Sequence, residues 1–113
     1  MIVAPDLLRD ARDRVATGWC QHASARAADG RIVEPWDADA RSWSLLGAIV
    51  AVTEPQRLER GHLSLTELTS ALGALAELIA DPSLEHWNDA PDRRAAEVLA
   101  VLDRATAIVL NHH

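Results

Sequence analysis

The stretch Trp43-Ser-Leu-Leu-Gly-Ala-Ile-Val-Ala-Val-Thr53 decides the fold class of this chain. Its apolar residues cover nearly the whole circumference of a helix, a pattern typical of a helix at the centre of a protein. We predict that this buried helix begins at Asp37 or Ala38 and ends with the quoted stretch, because Pro55 follows it. Gly47 lowers the helix propensity, and a glycine placed there indicates a close crossing with another helix.

Three further segments repeat apolar residues at helical spacing. The first is Pro5–Thr17, and Gly18 is a natural stop for it. The next is Ser64–Ala80, in which Ser64 and Glu67 match an S-x-x-E capping box. The last is Asp92–Leu110, with Asp92 as a suitable N-cap residue.

A turn signal separates the first two predicted helices. Asp29-Gly30 lies between the short runs Arg26-Ala27-Ala28 and Arg31-Ile32-Val33, which predicts a β-hairpin over about residues 24–34. The fold predicted from these segments is mainly α: a compact four-helix bundle with a short β-hairpin inserted between helices 1 and 2. Its length suits a single all-α domain over residues 1–113.

The composition restricts the partners and the compartment. The net charge of the 113 residues is −6, so we expect neither nucleic acid nor a membrane surface as a partner, since both favour basic proteins. Cys20 is the single cysteine, which excludes an internal disulfide and fits a reducing cytoplasm. The sequence shows neither a signal peptide nor an apolar run near the ~20 residues that span a bilayer. We therefore predict a cytoplasmic protein.

The polar connector that contains Trp87-Asn88-Asp89 is the strongest candidate for a site. The chain has four Trp and no Tyr or Phe, so a Trp in a connector indicates either an anchor on the core or a pocket wall. Asn88 and Asp89 readily bind local backbone, so a structural turn before the last helix would explain them. The alternative is a small-ligand-binding or catalytic pocket. Its lining residues would be His86, Trp87, Asn88, Asp89 and Arg93.

Cys20 and His22 are the candidates for reactive or metal-binding chemistry. Side chains at i and i+2 of an extended segment point to opposite sides, so we expect Cys20 to be a buried thiol that packs behind Trp19. The spacing of Cys20, His22, His62 and His86 matches no zinc signature. We predict no catalytic residue, no metal and no cofactor.

Several motifs together resemble a known family. They are Gly18-Trp19-Cys20-Gln21, the Asp-Gly hairpin, Ala40-Arg41-Ser42-Trp43-x-x-x-Gly47-Ala48, Trp87-Asn88-Asp89-x-Pro91-x-Arg93 and Glu97-Val98-Leu99-x-x-Leu102-x-x-Ala105. This set is similar to a family of small proteins of unknown function from actinobacteria, other bacteria and phages. Many members have Cys at the position of Ser44 and Thr at that of Arg94, so this chain departs from the pattern twice. The resemblance implies a shared fold and no particular activity.

The Trp residues suggest where a partner would bind. Trp43 is predicted to be in the core, whereas Trp36, between Pro35 and Asp37, is the most exposed in our interpretation and the best interface candidate. We therefore expect a small non-enzymatic interaction protein that uses a bundle end where Trp19, Trp36 and Trp87 gather. The partner would be another protein or a second copy of the chain, with a small molecule as the alternative.

Overall fold

The computed structural model of the chain describes residues 2–58 and 64–111. The helices are α1 (Ala4–Thr17), α2 (Leu45–Leu58), α3 (Leu65–Leu78), α4 (Leu84–Asn88) and α5 (Ala95–Asn111), and the strands are β1 (Ala25–Ala27) and β2 (Ala40–Trp43). The prediction of a mainly helical fold with a β-hairpin between the first two helices is confirmed. The described residues form five helices rather than four, because the predicted connector before the last helix contains α4.

Helix α1 forms as its sequence predicts. Pro5 lies in its first turn, where the missing backbone N–H costs nothing, and the helix ends before Gly18. Its apolar stripe is buried: Leu7, Leu8, Ala11 and Val15. Because α1 packs against α2, α3 and α5, this stripe lies at the centre of the core. Burying a leucine side chain contributes roughly 1.5–3 kcal/mol.

The sheet differs from the predicted hairpin in its second strand. Strand β1 pairs antiparallel with β2, so that Ala25 lies opposite Trp43 and Ala27 opposite Ala40. The predicted second arm, Arg31-Ile32-Val33, contributes a single bridge to β1. The reason is tertiary: pairing with β2 buries the ring of Trp43 in the core, whereas the Ile32 side chain stays largely exposed.

The Asp29-Gly30 turn itself is present. The Gly30 N–H donates to the Ala27 carbonyl at 2.9 Å, and the Ala27 N–H donates to the Arg31 carbonyl at 2.8 Å. Gly30 has a φ of 87°, in the left-handed region that favours glycine. The turn is therefore a three-residue loop ending on a left-handed glycine, not the predicted two-residue turn.

Helix α2 begins later and ends later than predicted. It begins at Leu45, because Trp43 belongs to β2 and the Ser44 Oγ accepts the Gly47 N–H at 2.9 Å, which caps the helix. The predicted end before Pro55 is also wrong. Pro55 lies within the last turn, where the loss of one hydrogen bond does not stop the helix from reaching Leu58.

Gly47 marks a close approach, as predicted, but the neighbour is not a helix. A Cβ atom placed on Gly47 would lie 1.9 Å from the carbonyl oxygen of Ser24, just before β1. The Ser24 carbonyl also accepts the Ser44 N–H at 3.0 Å. The glycine thus allows the start of α2 to lie directly against the strand.

The starts of α3 and α5 each show one of the two hydrogen bonds of a capping box, which was predicted only for α3. The Ser64 Oγ accepts the Glu67 N–H at 3.3 Å, but the Glu67 carboxylate accepts the Ala4 N–H at 2.9 Å and so joins α3 to α1. Asp92 does not cap α5, because that helix begins three residues later. Instead the Glu97 carboxylate accepts the Arg94 N–H at 2.9 Å, the reciprocal bond of a capping box.

Candidate functional site

The two tryptophan-bearing connectors meet at Asn88, which is fully buried at the end of α4. Its Oδ1 accepts the Trp19 Nε1–H at 2.8 Å and the Leu45 N–H at 3.0 Å. Its Nδ2 donates to the Cys20 carbonyl at 3.1 Å and to the Asp89 Oδ1 at 3.0 Å. A side-chain amide can accept two hydrogen bonds and donate two, so the hydrogen-bonding capacity of this amide is used in full. We call residues 19–22 and 87–90 the connector junction.

Further bonds close the connector junction. The Gln21 Nε2 donates to the carbonyls of Asn88 and Ala90, at 3.0 and 2.9 Å. The Asp89 Oδ1 accepts the His22 N–H at 2.9 Å. His22 has a φ of 64°, which is uncommon for a residue other than glycine, and this bond helps to hold it there. Gln21 belongs to a motif of the family resemblance but was not predicted as a site residue, because its role depends on a contact with residues nearly seventy positions away.

Trp87 and Arg93 form a second structural pair. The guanidinium carbon of Arg93 lies 3.9 Å from the centre of the Trp87 ring, and its Nε donates to the Trp87 carbonyl at 2.9 Å. Its Nη1 pairs with the Glu97 Oε2 at 3.1 Å. Arg93, predicted as a lining residue of the possible pocket, is thus stacked on an indole and paired with a carboxylate within its own fold.

His86 is exposed and pairs outside the junction network. Its Nδ1 bonds to the Asp81 Oδ2. This contact stabilises the imidazolium and raises the pKa of His86, and the same bond lowers the pKa of Asp81. The Ser83 Oγ accepts the His86 backbone N–H at 3.1 Å and caps α4.

Glu85 is the polar residue that the sequence did not reveal. Its Oε1 atom is buried and has no hydrogen-bond partner among the described residues. Burial raises the pKa of Glu85, and the nearby charge of Asp89 acts in the same direction, while hydrogen bonding from Ser44 and Leu46 opposes both. Recognition of α4 would have shown that Glu85 and Asp89 are four residues apart, on one side of a helical turn.

Cys20 is buried, as predicted. Its Sγ donates to the Ala23 carbonyl at 3.6 Å, and burial raises the pKa of the thiol. A thiol held in its neutral form is a poor nucleophile. Among residues 2–58 and 64–111, no group of three or more His, Cys, Asp or Glu side chains is placed to hold a metal ion. His62, His112 and His113 lie outside the described residues.

Trp36 lies apart from the connector junction in its bonding. Within the described part of the chain, no hydrogen bond, ion pair or ring contact joins it to Trp19 or Trp87. It belongs to the segment 31–39, which we call the acidic loop because three carboxylates accompany one guanidinium. Half of the Trp36 surface is exposed, as is 63% of the Ile32 surface.

A surface cleft of about 430 Å³ lies along the acidic loop. The cleft is lined by Ser24, Arg31, Ile32, Val33, Glu34, Asp37 and Asp39. The Arg31 Nη2 pairs with the Asp39 Oδ2 at 3.3 Å, and the Asp37 Oδ1 accepts the Asp39 N–H at 2.8 Å. These contacts give the loop a defined shape while most of its charge stays negative.

The protein is small and mainly helical, and the candidate polar residues of the connector junction form their hydrogen bonds within the protein itself. The chain belongs to DUF6197, a family of unknown function, whose model matches residues 2–108. No curated protein and no solved structure matches the chain. None of the helices within residues 2–58 and 64–111 combines the length and apolar character that crossing a membrane requires. The bacterial and phage origin implied by the motifs stays a prediction.

Proposed function

We propose that this protein is a small non-enzymatic interaction protein that binds a protein partner through the acidic loop. The observation that carries the proposal is the exposure of two large apolar side chains, Trp36 and Ile32, on one loop. Trp is among the residues that contribute most to binding energy at protein interfaces. Neither side chain is needed to fill the core, so its position at the surface costs the fold little.

The connector junction supports this function as a structural support rather than as the contact surface. Trp19 and Trp87 both pack against the core, and the indole N–H of Trp19 is bonded to Asn88. Of the three Trp that we expected at one contact surface, the proposed surface therefore keeps only Trp36. The alternative of a ligand pocket has less support, because the polar atoms of Asn88 and Arg93 are already paired.

The remaining parts of the proposal concern the scaffold and its setting. The four long helices would act as a single-domain bundle that holds the acidic loop in place. We place the protein in the cytoplasm of a bacterium or of a phage-infected cell, where a lone thiol such as Cys20 stays reduced.

Photo-crosslinking tests the contact surface. A benzoylphenylalanine replaces Trp36 in cells of the source organism, and the same probe replaces Leu65 of α3 as a control, because Leu65 is 74% exposed but lies in a different element. We expect a product specific to the Trp36 position, which mass spectrometry identifies. Identical products from both positions, or none from Trp36, would contradict the proposal.

Titration with the purified partner then measures the contribution of Trp36. Loss of a Trp at the centre of an interface weakens binding by about 2 kcal/mol or more. Trp36→Ala should therefore raise the Kd by about thirty-fold while the unfolding midpoint stays unchanged. Sedimentation of the protein alone distinguishes a second copy of the chain from a different partner.

A further inference from the structure

We propose that the partner binds as an extended, basic segment that adds a strand beside Ile32. This inference rests on the proposed function, since it states what the acidic loop recognises. It concerns the backbone of the loop and the charges around it, whereas the proposed function rests on the exposed side chains.

The bridge between Ile32 and β1 leaves one backbone edge open. The Ala27 N–H donates to the Arg31 carbonyl at 2.8 Å on one side of Ile32. The Val33 N–H donates to the Ala25 carbonyl at 3.2 Å on the other side. In an antiparallel pair of this type, the N–H and C=O of the residue between such bonds point away from the partner strand. Within residues 2–58 and 64–111, those two groups of Ile32 have no hydrogen-bond partner.

The opposite edge of the sheet is occupied. The Trp43 N–H donates to the Gly18 carbonyl at 3.0 Å, and the Cys20 N–H donates to the Trp43 carbonyl at 3.2 Å. Of the two edges of this sheet in the described residues, the edge at Ile32 is therefore the open one. Unpaired N–H and C=O groups at a sheet edge are the groups that an added peptide strand uses.

The charges around this edge define the chemistry of the occupant. Glu34, Asp37 and Asp39 carry three carboxylates, and the one guanidinium of the acidic loop, on Arg31, already pairs with Asp39. The guanidinium of Arg26, the bridge partner of Ile32, donates to the backbone carbonyls of Gly30 and Gln21. Lys or Arg side chains on an added strand would lie against these carboxylates. A second copy of the chain would bring like charges together, which disfavours self-pairing at this edge.

Selection from a library of random short peptides tests the inference with the full chain. We expect the enriched peptides to carry a net positive charge and a Kd that rises with added salt. Ile32→Pro removes the outward N–H without removing a described bond to β1, so these peptides should bind it about ten-fold more weakly. Glu34→Lys should weaken binding similarly, and Glu77→Lys, an exposed carboxylate of α3, is the matched control.

The outcomes separate this inference from the proposed function. Enriched peptides that are neutral, acidic or helical would overturn it, as would an absence of enrichment or equal binding to Glu34→Lys and Glu77→Lys. Circular dichroism and the unfolding midpoint show whether Ile32→Pro folds, and Glu34→Lys decides the matter if it does not. A Trp36 cross-linked partner that binds both the wild type and Glu34→Lys equally would leave the proposed function intact and remove only this inference.

Discussion

Asn88 shows how a single buried side chain can join distant parts of a chain. Its amide connects the segment after α1, the first N–H of α2 and the end of α4. The buried N–H of Leu45 has no carbonyl four residues earlier within its own helix, so Asn88 supplies the acceptor from another element. A residue type that is common in exposed turns is here a core residue.

The first prediction concerns removal of that amide. Asn88→Ala leaves the Leu45 N–H, the Trp19 Nε1–H and the Cys20 carbonyl without their partner. Each unpaired buried group costs about 1–3 kcal/mol. Because the Trp19 bond is only part-buried, we expect the lower part of the sum for three groups, a fall of about 3–5 kcal/mol in the free energy of unfolding. Urea unfolding followed by Trp fluorescence measures the change.

Asp89→Ala provides the comparison for Asn88→Ala. Asp89 is partly exposed, and its main structural bonds are to the His22 N–H and to Asn88. We expect the free energy of unfolding to fall by about 1 kcal/mol, since water can replace the Asp89 carboxylate at the surface. If Asp89→Ala destabilised the fold as much as Asn88→Ala, the central role of the amide would be wrong.

The second prediction concerns pH and Glu85. Its pKa is raised in the folded state, so folding favours the protonated form, and the resulting stability is present at low pH and lost as the pH rises through the folded pKa. Glu85→Gln should remove that loss. We expect this substitution to raise the free energy of unfolding at about pH 7 by about 1 kcal/mol. The gain is small because the side chain is partly solvated. Near pH ~4 the two proteins should differ little.

Parallel urea titrations of the wild type and Glu85→Gln at both pH values measure this dependence. Contributions from other carboxylates cancel because both proteins share them. A difference that stays constant between the two pH values would show that the Glu85 charge is not responsible.

At the scale of elements, we expect alanine substitutions at two helical glycines to change stability in opposite directions. Gly47 lies against the Ser24 carbonyl, whereas the space around Gly73 in α3 is open. Gly73→Ala should stabilise the protein by about 0.5–1 kcal/mol through helix propensity alone. Gly47→Ala gains the same propensity but forces two backbones apart, so we expect a net loss of about 2 kcal/mol.

Thermal unfolding of both glycine variants measures the comparison. The pair controls for helix propensity, because both substitutions are the same and both positions are inside helices. Equal stabilisation of the two variants would show that α2 can move away from Ser24 at little cost.

The elements that the sequence predicted well are those with local signals. Helix α1 and most of α3 and α5 follow apolar stripes that can be counted along the chain. Strand β2 was assigned to α2 because Ala40–Trp43 leads directly into a continuous apolar run. Helix α4 has five residues, too few for a helical period to be visible.

The candidate site was predictable in position but not in its partners. The motifs around Trp19 and Trp87 identified two connectors that do meet. Asn88 has structural bonds, but they run mainly to Trp19, Cys20 and Leu45 and not to the local backbone of a turn, as the structural interpretation expected. Burial of Glu85 could not be predicted, because it results from packing against Ser44 some forty residues away. The open edge at Ile32 could not be predicted either, because it results from the pairing of β1 with β2 as its main partner.

For the whole molecule, the distribution of charge couples the fold to the proposed binding. The net charge of −6 makes the folded chain repel itself weakly, and the acidic loop concentrates part of that charge beside its exposed apolar groups. Screening by salt weakens the internal repulsion and also weakens attraction to a basic partner. Added salt should therefore favour the folded chain slightly and weaken its complex with a basic partner.

The last prediction follows from that opposition. Raising the salt concentration through about 0.1 M, where the screening length is about 10 Å, should leave the free energy of unfolding unchanged or slightly higher. Over the same range the complex with a basic partner should weaken, mainly through a slower association rate. Urea unfolding and stopped-flow binding at matched salt concentrations measure the two quantities.

Glu34→Lys should reduce the salt dependence of association but not that of unfolding, because Glu34 is exposed in the loop that would meet the partner. An association rate that does not change with salt would mean that apolar contacts at Trp36 and Ile32 attract the partner without help from charge.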